Sequence, residues 1–149
     1  LFARRLIALG GGSKVLSDES KTYEQLAWVA GALALVKEDP HDDRTLAFRL
    51  GKAFGGERPA MSELRFQSLQ AAATTEDYFL QIRRAIQLAD RKTDVARLAD
   101  DLLSWQLERG QSALRASSGV KFHWAYDYYL SVGQKAAADE PESIKENLQ

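Results

Sequence analysis

The fold is decided by residues 75–107, TEDYFLQIRRAIQLADRKTDVARLADDLLSWQL. Apolar side chains recur there every three or four residues, which is the period of an α-helix with one buried face. The pattern predicts a helix over residues 75–91 and a second helix from Asp94 to about residue 107, because aspartate is a good N-cap. The predicted buried stripes are Ile82, Ala85, Ile86 and Ala89 on the first helix and Val95, Leu98, Leu102 and Trp105 on the second.

Helical periodicity continues on both sides of this pair, and no stretch alternates polar and apolar residues as a half-buried strand would. Ser62 has the position of an N-cap for one of the upstream helices. A loop rich in Ser, Ala and Gly is predicted at residues 110–119. The further predicted helices cover residues 2–9, 22–37, 43–54, 62–73 and 120–132.

The sequence therefore predicts an all-α bundle of about six to eight helices, divided into two small lobes. Glycines and a proline in residues 55–60 make that linker the best boundary between the lobes. The predicted units are an N-terminal helical lobe of residues 1–57, a C-terminal helical lobe of residues 58–132, and a tail of residues 133–149 that frays or forms a short helix.

The composition excludes several classes of site. The 149 residues include no cysteine, so disulfides, cysteine-ligated zinc and thiol catalysis are absent. The longest apolar run, near residues 27–36, is shorter than the roughly 18–20 residues that cross a membrane. We therefore expect a globular protein without a membrane partner, and the lack of disulfides favours the cytoplasm.

The charge of the chain is segregated along the sequence although its sum is only −1. Residues 17–43 hold seven acids and two lysines. Residues 44–65 and residues 78–97 each hold five basic residues against two acids. Such segregation is compatible with one face that binds phosphates and another that binds a protein, and random surface variation is the alternative.

Potential metal ligands occur in two places. His41, Asp42 and Asp43 are consecutive in a predicted loop, and His123 lies four residues before Asp127, so these two share a helix face. A helix start explains the first group and a structural hydrogen bond the second, so the sequence predicts no metal site.

No constellation of catalytic residues is recognisable. The segment GGGSK at residues 10–14 lacks the spacing of a phosphate-binding loop. Asp100 and Asp101 are neighbours on a helix and point about 100° apart, so we expect them to be solvated or paired with Arg97 and not to act as a catalytic pair. The sequence thus predicts no enzyme activity and no cofactor.

Basic residues cluster at the end of the predicted helix 75–91. Arg84 and Arg91 are seven residues apart, which predicts that they share a face about 10 Å apart along the axis. Guanidinium groups match phosphate geometry and stay charged, although salt bridges to neighbouring acids are an alternative use. The candidate nucleic-acid-binding residues are Lys52, Arg83, Arg84, Arg91, Lys92 and Arg97.

Aromatic residues crowd the last predicted helix, at residues 122–129, FHWAYDYY. Exposed aromatic rings stack on nucleic-acid bases. Anchoring of a terminal helix to the core is the alternative that we favour here.

Several motifs carry a resemblance when they are taken in order: LGKAF at residues 50–54, SELRF at 62–66, QIRRAIQL at 81–88, DVARLADDLLSW at 94–105 and VKFHWAYDYY at 120–129. Together they resemble the CasB family, the small subunits of the type I-E CRISPR surveillance complex Cascade. The resemblance covers about residues 27–130. The sequence departs from the family pattern at Val95, where an aromatic residue is common, and at Tyr126, where a basic residue is common.

The resemblance implies a non-catalytic subunit of an antiviral defence complex. It implies as partners the other subunits of the guide RNA–protein complex, the target and non-target DNA strands, and a second copy of the chain. In such complexes the small subunits help to hold the target and displaced strands and so stabilise the R-loop. The resemblance ranks Lys52, Arg83 and Arg84 first among the phosphate contacts, and it makes the acidic residues 17–43 a candidate protein-facing surface.

Three other functions stay open at this point. A helical adaptor without nucleic-acid contact fits the near-neutral charge. A helix-turn-helix transcription factor fits the short turn between the helices at 75–91 and 94–107, although acids occupy the second helix where bases would be read. A metal-dependent enzyme is the most distant alternative.

Overall fold

A computed structural model describes residues 17–53, 57–109 and 119–138. These residues form six α-helices, and the described part of the chain has no β-sheet. The helices are α1 Ser17–Leu33, α2 Leu46–Gly51, α3 Glu63–Gln70, α4 Thr75–Leu88, α5 Val95–Glu108 and α6 Val120–Ala138. The prediction of an all-α bundle is confirmed. None of the described helices is long and apolar enough to cross a membrane.

Side-chain caps define where the helices start. The Ser62 hydroxyl accepts from the backbone N–H of Arg65 at 3.5 Å, and the Asp94 carboxylate accepts from that of Arg97 at 2.9 Å, so both predicted N-caps are confirmed. Thr45 caps α2 and Thr74 caps α4 in the same way. The predicted helix at residues 2–9 and most of the predicted loop at 110–119 lie outside the described residues.

Four predicted helices end three or four residues earlier than their periodicity suggests: those expected to reach residues 37, 54, 73 and 91 end at Leu33, Gly51, Gln70 and Leu88. We expected helix up to residue 37, but α1 ends at Leu33, because the backbone N–H groups of Lys37 and Glu38 donate to the carbonyl oxygen of Arg91 at 2.8 and 3.2 Å. We expected helix up to Arg91, but α4 ends at Leu88, and Asp90 and Arg91 adopt the left-handed conformation, with φ of 58° and 56°. The segment after α1 and the turn after α4 are thus joined by backbone hydrogen bonds.

The core lies between α4, α5 and the helices packed on them. Tyr78 stacks on Trp105 with ring centroids 3.7 Å apart, and Phe66 of α3 stacks on Tyr128 of α6 at 4.1 Å. All eight residues of the predicted stripes pack inward except Val95, which is half-buried. Aromatic stacking of this kind adds to the burial of apolar area.

Contacts between helices join sequence regions on both sides of residue 57. The first helix, α1, packs on α4 and α5, and α2 packs on α6. The predicted division into lobes 1–57 and 58–132 stays a prediction. Helix α6 continues to Ala138, six residues beyond the predicted end, and residues 139–149 of the predicted tail lie outside the described residues.

The contact between α2 and α6 brings the two main chains close together at Gly51. A Cβ atom built on Gly51 would lie 2.4 Å from the carbonyl oxygen of Tyr128, far inside contact distance. At the other end of α2, the Thr45 hydroxyl donates to the Asp127 carboxylate at 2.7 Å. Asp127 therefore makes a structural hydrogen bond, as expected from the sequence, but its partner is Thr45, which lies 82 residues away in sequence.

A buried carboxylate joins α5 to α6. Asp101 is only 5% exposed, accepts a hydrogen bond from the Trp124 indole Nε1 at 2.9 Å, and pairs with Arg97 at 3.4 Å. Burial raises the pKa of Asp101 to about 6, against the opposing effects of the Trp124 hydrogen bond and of Arg97. The expected pairing with Arg97 is therefore confirmed for Asp101, whereas the expected solvation is wrong for both Asp100 and Asp101, which are buried.

We expect Gly51→Ala to destabilise the protein by about 1–3 kcal/mol, since the added methyl group forces α2 away from the α6 backbone. Gly31→Ala is the matched control, because a Cβ at Gly31 meets nothing within 4 Å and replacing a helix-interior glycine stabilises by about 0.5–1 kcal/mol. Urea denaturation with both variants measures the difference. Equal effects of the two substitutions would contradict the close contact.

We expect the pH dependence of stability to change in Asp101→Asn. The raised pKa means that the native state holds the proton more tightly than the unfolded state, so the favourable contribution of the protonated carboxyl is complete below pH 3.8 and is lost as the pH rises to about 6. Thermal unfolding of the variant and of wild type measures this. The melting temperature of Asp101→Asn minus that of wild type rises from pH 4 to pH 7, because asparagine does not titrate. Asp90→Asn, at an exposed carboxyl, is the control, and an unchanged pH profile in Asp101→Asn would refute the prediction.

Candidate functional site

A groove of about 610 Å³ runs between α3 and α4, and we call it the α3–α4 groove. It forms because the two helices bury Phe66 and Leu69 on one side of α3, which turns Arg65 and Ser68 toward the groove. The Gln81 side-chain amide joins the walls by donating to the carbonyl oxygen of Ser68 at 3.4 Å. The lining residues are Met61, Arg65, Ser68, Asp77, Gln81, Arg84, Gln87 and Leu88.

Three exposed cations surround this groove. Arg65 lies on the α3 wall and Arg84 on the α4 wall. Lys52 lies beside the groove residue Met61, because the backbone N–H of Ala60 donates to the carbonyl oxygen of Lys52 at 3.1 Å and that of Met61 to Leu50 at 3.0 Å. None of the three cations forms an ion pair with an acid in the described part of the chain. Their charge is therefore available to a ligand.

Arg83 lies on the other side of α4. Adjacent helical residues point about 100° apart, so Arg83 lines a second groove, between α1 and α4, of about 560 Å³. We call it the α1–α4 groove. Its lining residues are Glu24, Ala27, Trp28, Gly31, Ala32, Phe79 and Arg83. The Arg83–Arg84 pair thus divides between two grooves.

Arg91 does not share a face with Arg84, and that prediction is wrong. The helix ends at Leu88, and Arg91 lies in the following turn with φ of 56°. Its Nε donates to the carbonyl oxygen of Leu35 at 2.7 Å. Arg91 therefore fastens the segment after α1 to the segment after α4.

Lys92 and Arg97 are engaged by acids of the predicted acidic segment. Lys92 Nζ lies 3.0 Å from a carboxylate oxygen of Glu38, and Arg97 pairs with Asp43 at 3.4 Å as well as with Asp101. Burial opposes the charge of Arg97, but these two carboxylates outweigh it and raise its pKa. As nucleic-acid contacts, Arg91, Lys92 and Arg97 stay predictions.

The charge segregation seen in the sequence is thus partly cancelled by folding. Arg49 pairs with Asp42, and Glu38 and Asp43 pair with basic residues more than 50 positions away. The free cations that remain around the grooves are Lys52, Arg65, Arg83 and Arg84. Sequence reasoning leaves out Arg65, although Ser62 as N-cap and Phe66 as a buried residue place Arg65 on the exposed side of the first turn.

The aromatic residues of α6 divide into two sets. Trp124 and Tyr128 are buried, as the anchoring interpretation predicts. The other set forms an exposed uncharged face, which we call the α6 stripe, and Tyr126 at its centre is 60% exposed. The α6 stripe consists of Phe122, Tyr126, Tyr129 and Leu130.

The described residues contain no group of three or more His, Asp or Glu side chains placed to hold a metal ion. His41 contacts Asp39 at 3.5 Å, and the backbone N–H of Asp43 donates to Asp94, so the loop acids take part in local structure. The α3–α4 groove is lined by two guanidinium groups, by amide and hydroxyl groups and by one carboxylate, that of Asp77. Its cations outnumber its acids, so it has the chemistry to bind a phosphate chain.

Comparison with known proteins agrees with these motifs. The family model for CRISPR-associated protein Cse2 matches residues 4–129. A CRISPR-associated protein Cse2 from Thermus thermophilus is 33% identical over 130 residues, which are 87% of this chain and 68% of that protein. No solved structure matches the chain. The chain therefore belongs to the Cse2 family of CRISPR-associated proteins, which is the CasB small-subunit family of type I-E Cascade that its motifs resemble.

Proposed function

We propose that this protein is a non-catalytic small subunit that holds the target and displaced DNA strands through their phosphates and stabilises the R-loop. The observation that carries the proposal is the α3–α4 groove: Arg65 and Arg84 line this polar cleft, the Lys52 backbone lies beside it, and none of the three side chains pairs with an acid of the described residues. Its partners are the other subunits of the guide RNA–protein complex, both DNA strands and a second copy of the chain. Its place is the cytoplasm, where such complexes meet invading DNA.

Few contacts are enough for this role. R-loop formation exchanges one duplex for another of similar stability, so modest contacts to the backbone shift the balance. Each phosphate that a cation neutralises releases counterions, which makes binding depend on salt. Arginine and lysine contacts of this type position a strand without reading its bases.

We expect Arg65→Glu/Arg84→Glu to weaken R-loop formation by the assembled complex. In a plot of the logarithm of the binding constant against the logarithm of the salt concentration, the slope becomes shallower by about 0.7 for each single-strand phosphate contact that is lost. Titration of the guide-loaded complex with target duplex at several salt concentrations measures both the affinity and this slope.

Lys37→Glu is the matched control for these reversals. Lys37 is exposed and lies outside both grooves, and its structural hydrogen bond is made by the backbone. Should the double reversal behave like Lys37→Glu, the strand-holding function is refuted.

A second candidate function is a helical adaptor without nucleic-acid contact, and the α6 stripe is the observation that favours it. An exposed aromatic face without charged side chains is typical of a protein interface and supplies no cation to neutralise phosphates. In the Cascade proposal the same stripe contacts a protein subunit of the complex. The acids of residues 38–43 form ion pairs within the chain, whereas Glu19 and Glu24 of the acidic segment remain exposed. We therefore assign the contact with a protein subunit to α6 and not to the acidic segment.

We expect Tyr126→Glu to reduce incorporation into the complex about tenfold or more, because it buries a charge at the centre of an apolar interface. Stability of the isolated chain changes by about 0.5 kcal/mol at most, since Tyr126 is exposed. Co-purification with the other subunits measures incorporation. Gln134→Glu adds the same charge at an exposed position outside the stripe, and equal incorporation of the two variants would remove the stripe from the interface.

A further inference from the structure

The α1–α4 groove has an aromatic wall and an open slot. Trp28 stacks on Phe79 with ring centroids 5.3 Å apart, and it is only half-buried, whereas Trp105 and Trp124 are almost fully buried. The neighbouring α1 positions carry small residues, and at Gly31 a Cβ atom would meet nothing within 4 Å. The groove therefore leaves space beside an accessible indole.

The rim of the α1–α4 groove carries one arginine and one acid, whereas the α3–α4 groove has two arginines against Asp77. Arg83 lies on the α4 side and Glu24 on the α1 side, and both are exposed. They do not pair with each other or with another charged group in the described ranges. A phosphate is attracted to Arg83 but repelled from the groove by Glu24, so a nucleotide that binds here places its backbone at Arg83 and its uncharged base within.

We propose that the α1–α4 groove accepts one unpaired base of the displaced DNA strand, stacked on Trp28, with Arg83 holding the adjacent phosphate. This inference rests on the proposed function. The displaced strand is the fitting ligand because its bases are free, whereas those of the target strand pair with the guide. Any base fits, since stacking on an indole uses the π-face that all bases share.

The position of Arg83 beside Arg84 connects the two grooves. A strand that crosses α4 meets Arg84 on one side and Arg83 on the other, as the two side chains diverge by about 100°. The backbone is then held at α4, and the base beyond Arg83 lies over the Trp28 slot. An aliphatic side chain of a protein partner would fill the slot but would leave the Arg83 charge without a ligand.

Gly31→Leu tests the proposal because it extends a side chain into the slot from a position where an added Cβ atom meets nothing within 4 Å. In the assembled complex, it weakens binding of target duplex by roughly five- to 150-fold, the range that stacking of one base represents. The salt slope stays at the wild-type value, since no phosphate contact is removed. Gly31→Ala, which leaves the slot open, binds like wild type.

A target duplex whose displaced strand lacks one base shows whether a base occupies the slot. An abasic site is moved along the displaced strand, and at one position it weakens wild-type binding as much as Gly31→Leu does. At that position the abasic site and Gly31→Leu are not additive, because both remove the same contact. Unchanged binding by Gly31→Leu, full additivity at all positions, or failure of Gly31→Leu to join the complex would each overturn the proposal, the last by showing a protein partner in the groove.

The design separates this inference from the proposed function. If Arg65→Glu/Arg84→Glu reduces the salt slope while Gly31→Leu has no effect, strand holding stands and the base site is refuted. If neither set of substitutions changes binding, both proposals are refuted.

Discussion

One carboxylate, that of Asp94, holds the two halves of the structure together. One oxygen accepts from the Arg97 backbone N–H and starts α5, and the other accepts from the Asp43 backbone N–H at 2.8 Å and fixes the segment that leads into α2. Asp94 is itself almost fully buried, and these two N–H groups give each of its carboxylate oxygens a hydrogen-bond partner. Next to it, residues 37–38 pair with residues 91–93 through backbone hydrogen bonds, so the segment between α1 and α2 is fastened to the turn before α5.

This arrangement explains how a chain of net charge −1 presents basic grooves. Acids of the connector after α1 approach the basic residues that follow α4 and form ion pairs with them: Glu38 with Lys92 and Asp43 with Arg97. The arginines of α3 and of the middle of α4 lie away from that connector and keep their charge for a ligand. Surface charge is therefore decided by which acids the fold uses internally and not by the sum over the sequence.

Local physics made much of this fold predictable from sequence. The caps at Ser62 and Asp94 and the inward stripes of α4 and α5 depend on neighbours within a few residues, and the structure has them as expected. The end of α4 was not predictable, because the left-handed turn at Asp90 and Arg91 is stabilised by a segment more than 50 residues away. The same distance hides the pairing of Lys92 with Glu38 and of Arg97 with Asp43. Arg84 lies on the surface as expected, whereas sequence reasoning leaves out its neighbour across the groove, Arg65.

The contact of Gly51 with the α6 main chain has a consequence for how such a protein can diverge. Main-chain atoms are the same in every sequence, so this joint does not depend on which side chains α6 presents to the outside. The outward residues of α6 are thus free to change with the partner that a given complex supplies, while Lys52, next to Gly51, keeps its place beside the groove. Under the proposed function, the choice of partner and the holding of a DNA strand can therefore evolve independently, provided that position 51 stays glycine.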